Sequence, residues 1–423
     1  MGYKVIEQVV NAARRKLLVQ DLIPVYYPNL YATFELSSRA LDTTKKYLEH
    51  LALFEDSLAF YSIDLISRLE KRPNSQYLTD SEISRFVSDA GFSKETLVKK
   101  YAGIRLHPTA CKSVGKIHAR QRIEAVRDYV IFIYDKLGDH STRLEAVDDV
   151  RKRFNRKIKA ARPAWKKTRI DELKGLTNRE RYRLSEVMHP GSAENPFSNE
   201  AIKLRNYIIL LLGLDMGVRR SEMLLIKTSD IQWHSRHLKV VNLEDESIDP
   251  RTTAPQFKTH ERMLKMPDDL YEAIIEYESK YRYRKLRKGS SQARKHPFLL
   301  VSHRKNEGQP LSIKAADGIL PRVGKVMPEL AHIHLHILRH DAAYKMLESL
   351  REELEKLTPE DRTTEVQKTL TWMFGWSPKS DMPSLYGAKF WHEEADKAME
   401  KRSERFKAIR QKAEAGIRKG DAE

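Results

Sequence analysis

HIHLHILRHD, residues 332–341, puts four histidines into ten positions of a chain that has only 15. As a strand, this stretch would set His332, His334 and His336 on one face, because side chains alternate at period two. Three imidazoles so placed would suit zinc. As a helix opening near residues 335–337, it would instead present His336 and Arg339 together, three apart, and turn Ile337 and Leu338 toward a core. The first reading builds a metal centre on a sheet, and the second builds half of an anion clamp on a helical fold. The rest of the chain decides between them.

The 423 residues suffice for two or three domains, and 40% apolar with 32% charged content fits a globular protein. No apolar run approaches the ~18 residues of a membrane span. YIILLLGL (207–214) lies between Arg205 and Asp215 and reads as a buried helix. The N-terminus lacks the continuous apolar core of a signal peptide, so the expected compartment is the cytoplasm, at the nucleoid. The single cysteine, Cys111, excludes an internal disulfide and any multi-cysteine metal site.

Lysine and arginine total 77 against 59 acidic residues, giving +18 and a pI near 9.6. Such an excess points to a polyanionic partner. RKRFNRKIKAARPAWKKTR (151–169) carries ten basic residues and no acid, and YRYRKLRKGSSQARK (281–295) carries seven and none. Neither has the leucine or aromatic face of an interfacial helix, so phosphate contact is expected rather than a membrane. The expected contacts are Arg151, Lys152, Arg153, Arg156, Lys157, Lys159, Arg162, Lys166 and Lys167 in the first block, with Arg282, Arg284 and Lys285 in the second.

Apolar spacing predicts helices over 3–20, 41–58, 77–91 and 118–138, and no strand before 150. LTNRERYRLSEVM (176–188) restarts the helical pattern after a capping signal. Beyond 202–214, strand-like segments enter: 238–243, a hairpin in QFKTHERMLKMP (256–267), and PFLLVS (297–302). From 337 onward the pattern is helical. The expected fold is mainly α with a small antiparallel β-sheet. It divides into a helical lead-in (1–30), a helical domain (31–150), a basic linker (151–174), an α+β domain (175–395) and a basic C-terminal helix or tail (396–423).

In GVRRSEMLLI (217–226), Gly217 permits a tight turn, and Ser221 and Glu222 suit the first turn of a helix. Arg219 then projects from a fixed turn. Two guanidiniums, Arg219 and Arg339, can hold the oxygens of one phosphate, and His336 beside them can move a proton. In FGWSPKSDMPSLYGAKFW (374–391), Pro378 and Pro383 break the chain and leave Tyr386 in a short helix, where its phenol could reach a phosphorus atom.

The order Gly-x-Arg-x-Ser-Glu, hairpin lysine, His-x-x-Arg-His, Gly-Trp-Ser and Tyr resembles the tyrosine recombinase family of phage and mobile-element integrases. The resemblance covers most of 175–395, and segments 38–58, 77–87 and 118–138 resemble the family's all-helical core-binding domain. It implies Arg219, Lys258, His336, Arg339, Trp376 and Tyr386 as catalytic residues, with Glu222 and His340 in support. Lys265 is the other candidate for the hairpin lysine. Met216 stands where relatives carry threonine, and ten residues separate Trp376 from Tyr386, one more than in many relatives.

The resemblance further implies two domains forming a C-shaped clamp on double-stranded DNA that carries paired half-sites. Strand transfer would run through a 3′-phosphotyrosine and a Holliday junction with no metal, cofactor or ATP. The assembly would be a dimer on each site and a tetramer in the synapse, with accessory DNA-bending proteins as further partners and integration or excision of a mobile element as the role. A type IB topoisomerase-like nicking and resealing enzyme and a non-catalytic sequence-specific DNA-binding protein are the alternatives.

Overall fold

The computed structural model describes residues 2–10, 13–71, 73, 75–104, 107–160, 175–283, 292–304 and 306–420. The chain divides into two units, Met1–Thr168 and Arg169–Glu423.

The first unit opens with a strand pair, which corrects the helix expected over 3–20 and the all-helical reading of this part. β1 (Tyr3–Val10) pairs antiparallel with β2 (Ala13–Gln20), and the short β3 (Ile23–Pro24) adds to β2. Val5, Val9 and Val10 fit a helical spacing, but β-branched residues lose rotamer freedom in a helix and pack well on a pleated surface. Register also sets Glu7 opposite Lys16, and Glu7 takes ion pairs from Arg14 and Lys16. That cross-strand pairing is unavailable to a helix.

The remaining elements of this unit are helical. Leu41–Phe60 and Lys116–Leu137 bury Leu48, Leu51, Phe54, Val126, Tyr129 and Ile133 in one core. Asp80–Asp89 starts on a capping box between Thr79 and Glu82. Residues Arg143–Ala160 form one helix whose Phe154 and Ile158 enter the same core.

The second unit is built around Glu200–Leu214. That helix is buried on nearly all sides and packs between Asp268–Tyr277 and Leu335–Ser349. Burying one leucine fully is worth about 1.5–3 kcal/mol, so this apolar run anchors its neighbours. β4 (Ile231–Gln232), β5 (His237–Val240) and β6 (Arg262–Lys265) form a three-stranded antiparallel sheet. The hairpin expected within 256–267 is corrected: only β6 is a strand, and it pairs with β5. Segment 297–302 contributes isolated bridges at Phe298 and Val301 rather than a strand.

Pro359–Phe374, Met382–Tyr386 and Ala388–Gly420 complete the unit. Their core of Leu370, Phe374, Trp376, Tyr386 and Phe390 packs on Ala343 and Leu347 of the Leu335–Ser349 helix. No helix among the described residues is long and apolar enough to cross a membrane.

The central helix hands over to the site at Gly217, which has φ +60°. A Cβ there would lie 2.2 Å from Cε1 of Phe374 and 3.2 Å from Cβ of Ala342. A non-glycine residue at this φ costs about 1–3 kcal/mol, and overpacking adds a similar amount. Gly217→Ala is therefore expected to lower stability by at least about 2 kcal/mol, read as a lower urea midpoint by circular dichroism. An unchanged midpoint would refute this account of the turn.

Candidate active site

The site is organised by one buried carboxylate. Glu222 is 1% exposed and sits in the helix Arg220–Leu225, with Arg219 as its N-cap. Its Oε2 accepts from the Arg219 backbone N–H at 2.9 Å and from Arg262 Nη2 at 2.8 Å. Its Oε1 accepts from the Thr259 hydroxyl at 2.5 Å and from Arg262 Nη1 at 3.3 Å. The Nη1 atoms of Arg219 and Arg339 each lie 3.8 Å from it. Burial alone would raise the pKa of Glu222, but Arg262, Arg339 and Thr259 outweigh it and hold the carboxyl below its usual range.

Three guanidiniums against one carboxylate leave the site strongly positive. Arg262 is fastened further by Nε donating to the Met373 carbonyl at 2.8 Å. Arg339, 1% exposed, donates from Nη1 to the Gly217 carbonyl at 2.6 Å and from Nη2 to the Phe374 carbonyl at 2.8 Å. Burial, then the neighbouring Arg219, lowers its pKa to about 9. Arg219 is more open, and among the described residues its Nη1 has no hydrogen-bond partner.

The helical reading of 332–341 holds: Leu335–Ser349 is a helix. His336 and Arg339 both line a cleft of about 380 Å³, together with Arg219, Ser221, His334 and Asp317. They are unequally presented: His336 is exposed while Arg339 is buried. His332 pairs with Glu180 at 3.2 Å. His340 is buried and stacks on the ring of Tyr386 at 3.8 Å and 6°. The histidines thus have different surroundings, and among the described residues no three or more of His, Cys, Asp and Glu are grouped so as to hold a metal.

Tyr386 ends the Met382–Tyr386 helix and is 3% exposed. Its hydroxyl lies 3.4 Å from His336 Nε2. Burial raises its pKa, while Arg339 and Arg219 pull it down, leaving it above the ordinary tyrosine value. Trp376 stacks on Phe374 at 5.0 Å and approaches the Tyr386 ring at 4.8 Å. Its buried Nε1 has no hydrogen-bond partner among the described residues. The Arg339 guanidinium lies 4.7 Å from the Phe374 ring centre and 5.3 Å from that of Trp376.

Lys258 is exposed in the loop entering β6, next to Thr259, whose hydroxyl binds Glu222. Lys265 lies on the exposed face of β6 and lines a separate cavity with Asp215, Met216 and Trp372. Sequence reasoning missed Arg262 and Thr259. The signal for Arg262 was the alternation of β6, which turns Arg262 and Leu264 inward.

Of the basic candidates, Arg151, Lys152, Arg156 and Lys159 are exposed on the Arg143–Ala160 helix. Arg153 pairs with Asp149 at 2.6 Å, and Lys157 donates to the Ser84 hydroxyl at 2.9 Å. Arg282 is corrected as a DNA contact. It is 1% exposed and donates to the carbonyls of Phe298 and His296, because the helical turn 278–282 points it inward. Arg162, Lys166, Lys167, Arg284 and Lys285 lie outside the described residues.

Residues 183–352 match the model of the phage integrase family. The chain is similar to the crystal structure of XerA recombinase, with 16% identity over 85% of this chain and 91% of that one, TM-score 0.34. It is also similar to the Tn1549 transposon integrase in complex with transposon right end DNA, at 14% identity over 89% and 99%, TM-score 0.48. A third similarity is to a lambda integrase dimer bound to a COC′ core site, at 14% identity over 85% and 75%, TM-score 0.44. Comparison with curated proteins returned no match.

Because the Glu222 carboxyl is held below its usual range, its stabilisation is complete above that range and is lost as pH falls through the depressed value. Glu222→Gln is expected to cost about 3–5 kcal/mol at pH 7 and to flatten the acid limb of stability below about pH 4.5. Urea unfolding across pH 3–7 checks both, and an unaltered acid limb would remove Glu222 from the centre of the site.

Proposed function

We propose that this protein, whose residues 183–352 match the model of the phage integrase family, is a tyrosine recombinase, a site-specific DNA strand-transfer enzyme with Tyr386 as its nucleophile. The observation that carries this reading is the placement of the Tyr386 hydroxyl 3.4 Å from His336, with the Arg339 guanidinium 5.9 Å from the Tyr386 ring centre.

A free phenol at neutral pH is ionised in only about one molecule per thousand, so attack needs a proton acceptor. In the proposed reaction, Tyr386 Oη bonds to the scissile phosphorus while its proton passes to His336 Nε2. The bond from phosphorus to the 5′-oxygen breaks, and Lys258 protonates that oxygen. The products are a 3′-phosphotyrosine and a free 5′-hydroxyl. Arg219, which lines the cleft, offers its guanidinium to a non-bridging oxygen, and the Trp376 Nε1–H, buried without a hydrogen-bond partner among the described residues, is a second donor once the bound phosphate reaches it. Arg339, with both Nη groups on carbonyls, acts on the developing phenolate mainly through its charge. The ester conserves the energy of the broken bond, so a different 5′-hydroxyl can reverse the step without ATP.

The partner in this reading is double-stranded DNA with paired half-sites. A net charge of +18 supports binding dominated by phosphate contacts, with Arg151, Lys152, Arg156 and Lys159 among them. Exchange through a Holliday junction calls for a dimer on each site and a tetramer in the synapse. Mobile-element integration or excision in the cytoplasm is the corresponding role.

Nicked duplexes tiled from the DNA flanking the gene are expected to trap a detergent-stable protein–DNA adduct. Tyr386→Phe should abolish it, and an adduct that persists would transfer the nucleophile elsewhere. Lys258→Ala is expected to slow cleavage by about 10²–10⁴-fold. A substrate with sulfur at the 5′-bridging position, whose leaving group needs no proton, should restore it. Lack of restoration, or an equal defect in Lys265→Ala, would reassign the general acid.

A further inference from the structure

The peptide that opens the described part of the second unit is fastened on both sides. Leu176, 1% exposed, donates its backbone N–H to Asp341 Oδ1 at 3.1 Å. Its carbonyl accepts from Lys389 Nζ at 2.6 Å. Asp341 follows His340 on the Leu335–Ser349 helix and is fully buried, with Arg181 as its ion-pair partner. Arg181 also holds Asp215 at 2.7 Å, so the anchor reaches the C-terminus of the central helix.

Lys389 stands three residues beyond Tyr386. Its ammonium lies 4.3 Å from the ring centre of Tyr344, a buried residue of the same Leu335–Ser349 helix. Its stem runs against Gly175, where a Cβ would sit 3.0 Å from Lys389 Cδ. One peptide therefore links the helix that carries His336 and Arg339 to the chain just past Tyr386. Met382–Tyr386 has only five residues, too few to hold itself in place. Just downstream, Phe390 lies in the core, Glu393 accepts from the Tyr344 hydroxyl at 2.6 Å and Arg351 pairs with Glu394 at 3.1 Å, and of these anchors the Lys389 ammonium is the one nearest Tyr386 in the chain that reaches the Leu176 peptide.

We propose that Lys389 is a positioning residue for Tyr386, acting through the Leu176 carbonyl; this rests on the strand-transfer reading. Lys389 does not line the cleft and gives no proton in the reaction. It fixes where the phenol stands relative to His336, and a small displacement of a reacting group costs a large factor in rate.

The test uses the full chain with Lys389→Met, which keeps the stem, and Lys389→Arg, which keeps the donor. Single-turnover cleavage at saturating nicked duplex is expected to fall by about tenfold or more in Lys389→Met, with DNA affinity unchanged and Lys389→Arg close to the parent. A 5′-bridging sulfur substrate should not rescue Lys389→Met, since proton delivery is intact. With 3-fluorotyrosine at position 386, the fluorine resonance should shift in Lys389→Met and return in Lys389→Arg. Sulfur rescue, an equal loss in both variants, or an unmoved resonance would each overturn the proposal. Should the parent form no adduct, the strand-transfer reading fails, and the fluorine resonance alone still decides the role of Lys389.

Discussion

A single buried negative charge holds this site together. Glu222 receives two bonds from Arg262, one from the Thr259 hydroxyl and one from the Arg219 backbone, with the Arg219 and Arg339 guanidiniums nearby. Those groups come from four places in the chain: the turn after the central helix, the loop before β6, β6 itself, and the Leu335–Ser349 helix. Without the carboxylate, three guanidiniums would repel one another in a space that excludes water. With it, their repulsion is partly cancelled and a net positive charge remains facing the cleft.

The arginines divide the work by burial. Arg262 and Arg339 are both nearly inaccessible and spend donors on backbone carbonyls, at Met373, Gly217 and Phe374. They act as structural charges that lock the sheet and the Pro359–Phe374 helix to the turn at Gly217. Arg219 keeps a donor without a partner among the described residues. A guanidinium is suited to this split because its donors point in fixed directions, which a lysine ammonium cannot match.

Legibility in the sequence followed the kind of signal each residue gave. The helix at 335–349 was readable because a helical start there sets His336 and Arg339 three apart and sends Leu338 to the core. The capping boxes at Thr79 and Thr177 marked helix starts directly. The strand pair at 3–20 was not readable from periodicity, since valines at 5, 9 and 10 satisfy a helical spacing. What decides there is pairing between the two strands, Glu7 against Lys16 nine residues on. Arg282 failed for a related reason: a run of basic residues looks solvated, yet one of them turns inward to cap two carbonyls. Arg262 was hidden because a charged residue in a strand is usually assigned to the solvent face.

The nucleophile candidate is governed by two opposed effects. Stacked on His340 and flanked by Trp376 and Phe374, Tyr386 is desolvated, which favours the neutral phenol. Arg339 and Arg219 favour the phenolate, and burial wins in the free protein. The phenol therefore stays protonated while the cleft holds no anion, and its hydroxyl rests beside His336. A phosphate entering the cleft would draw on the same positive charge that steadies the phenolate. In the proposed reaction that competition calls for a separate proton acceptor, and His336 stands on the exposed side of its helix while Arg339 lies beneath it.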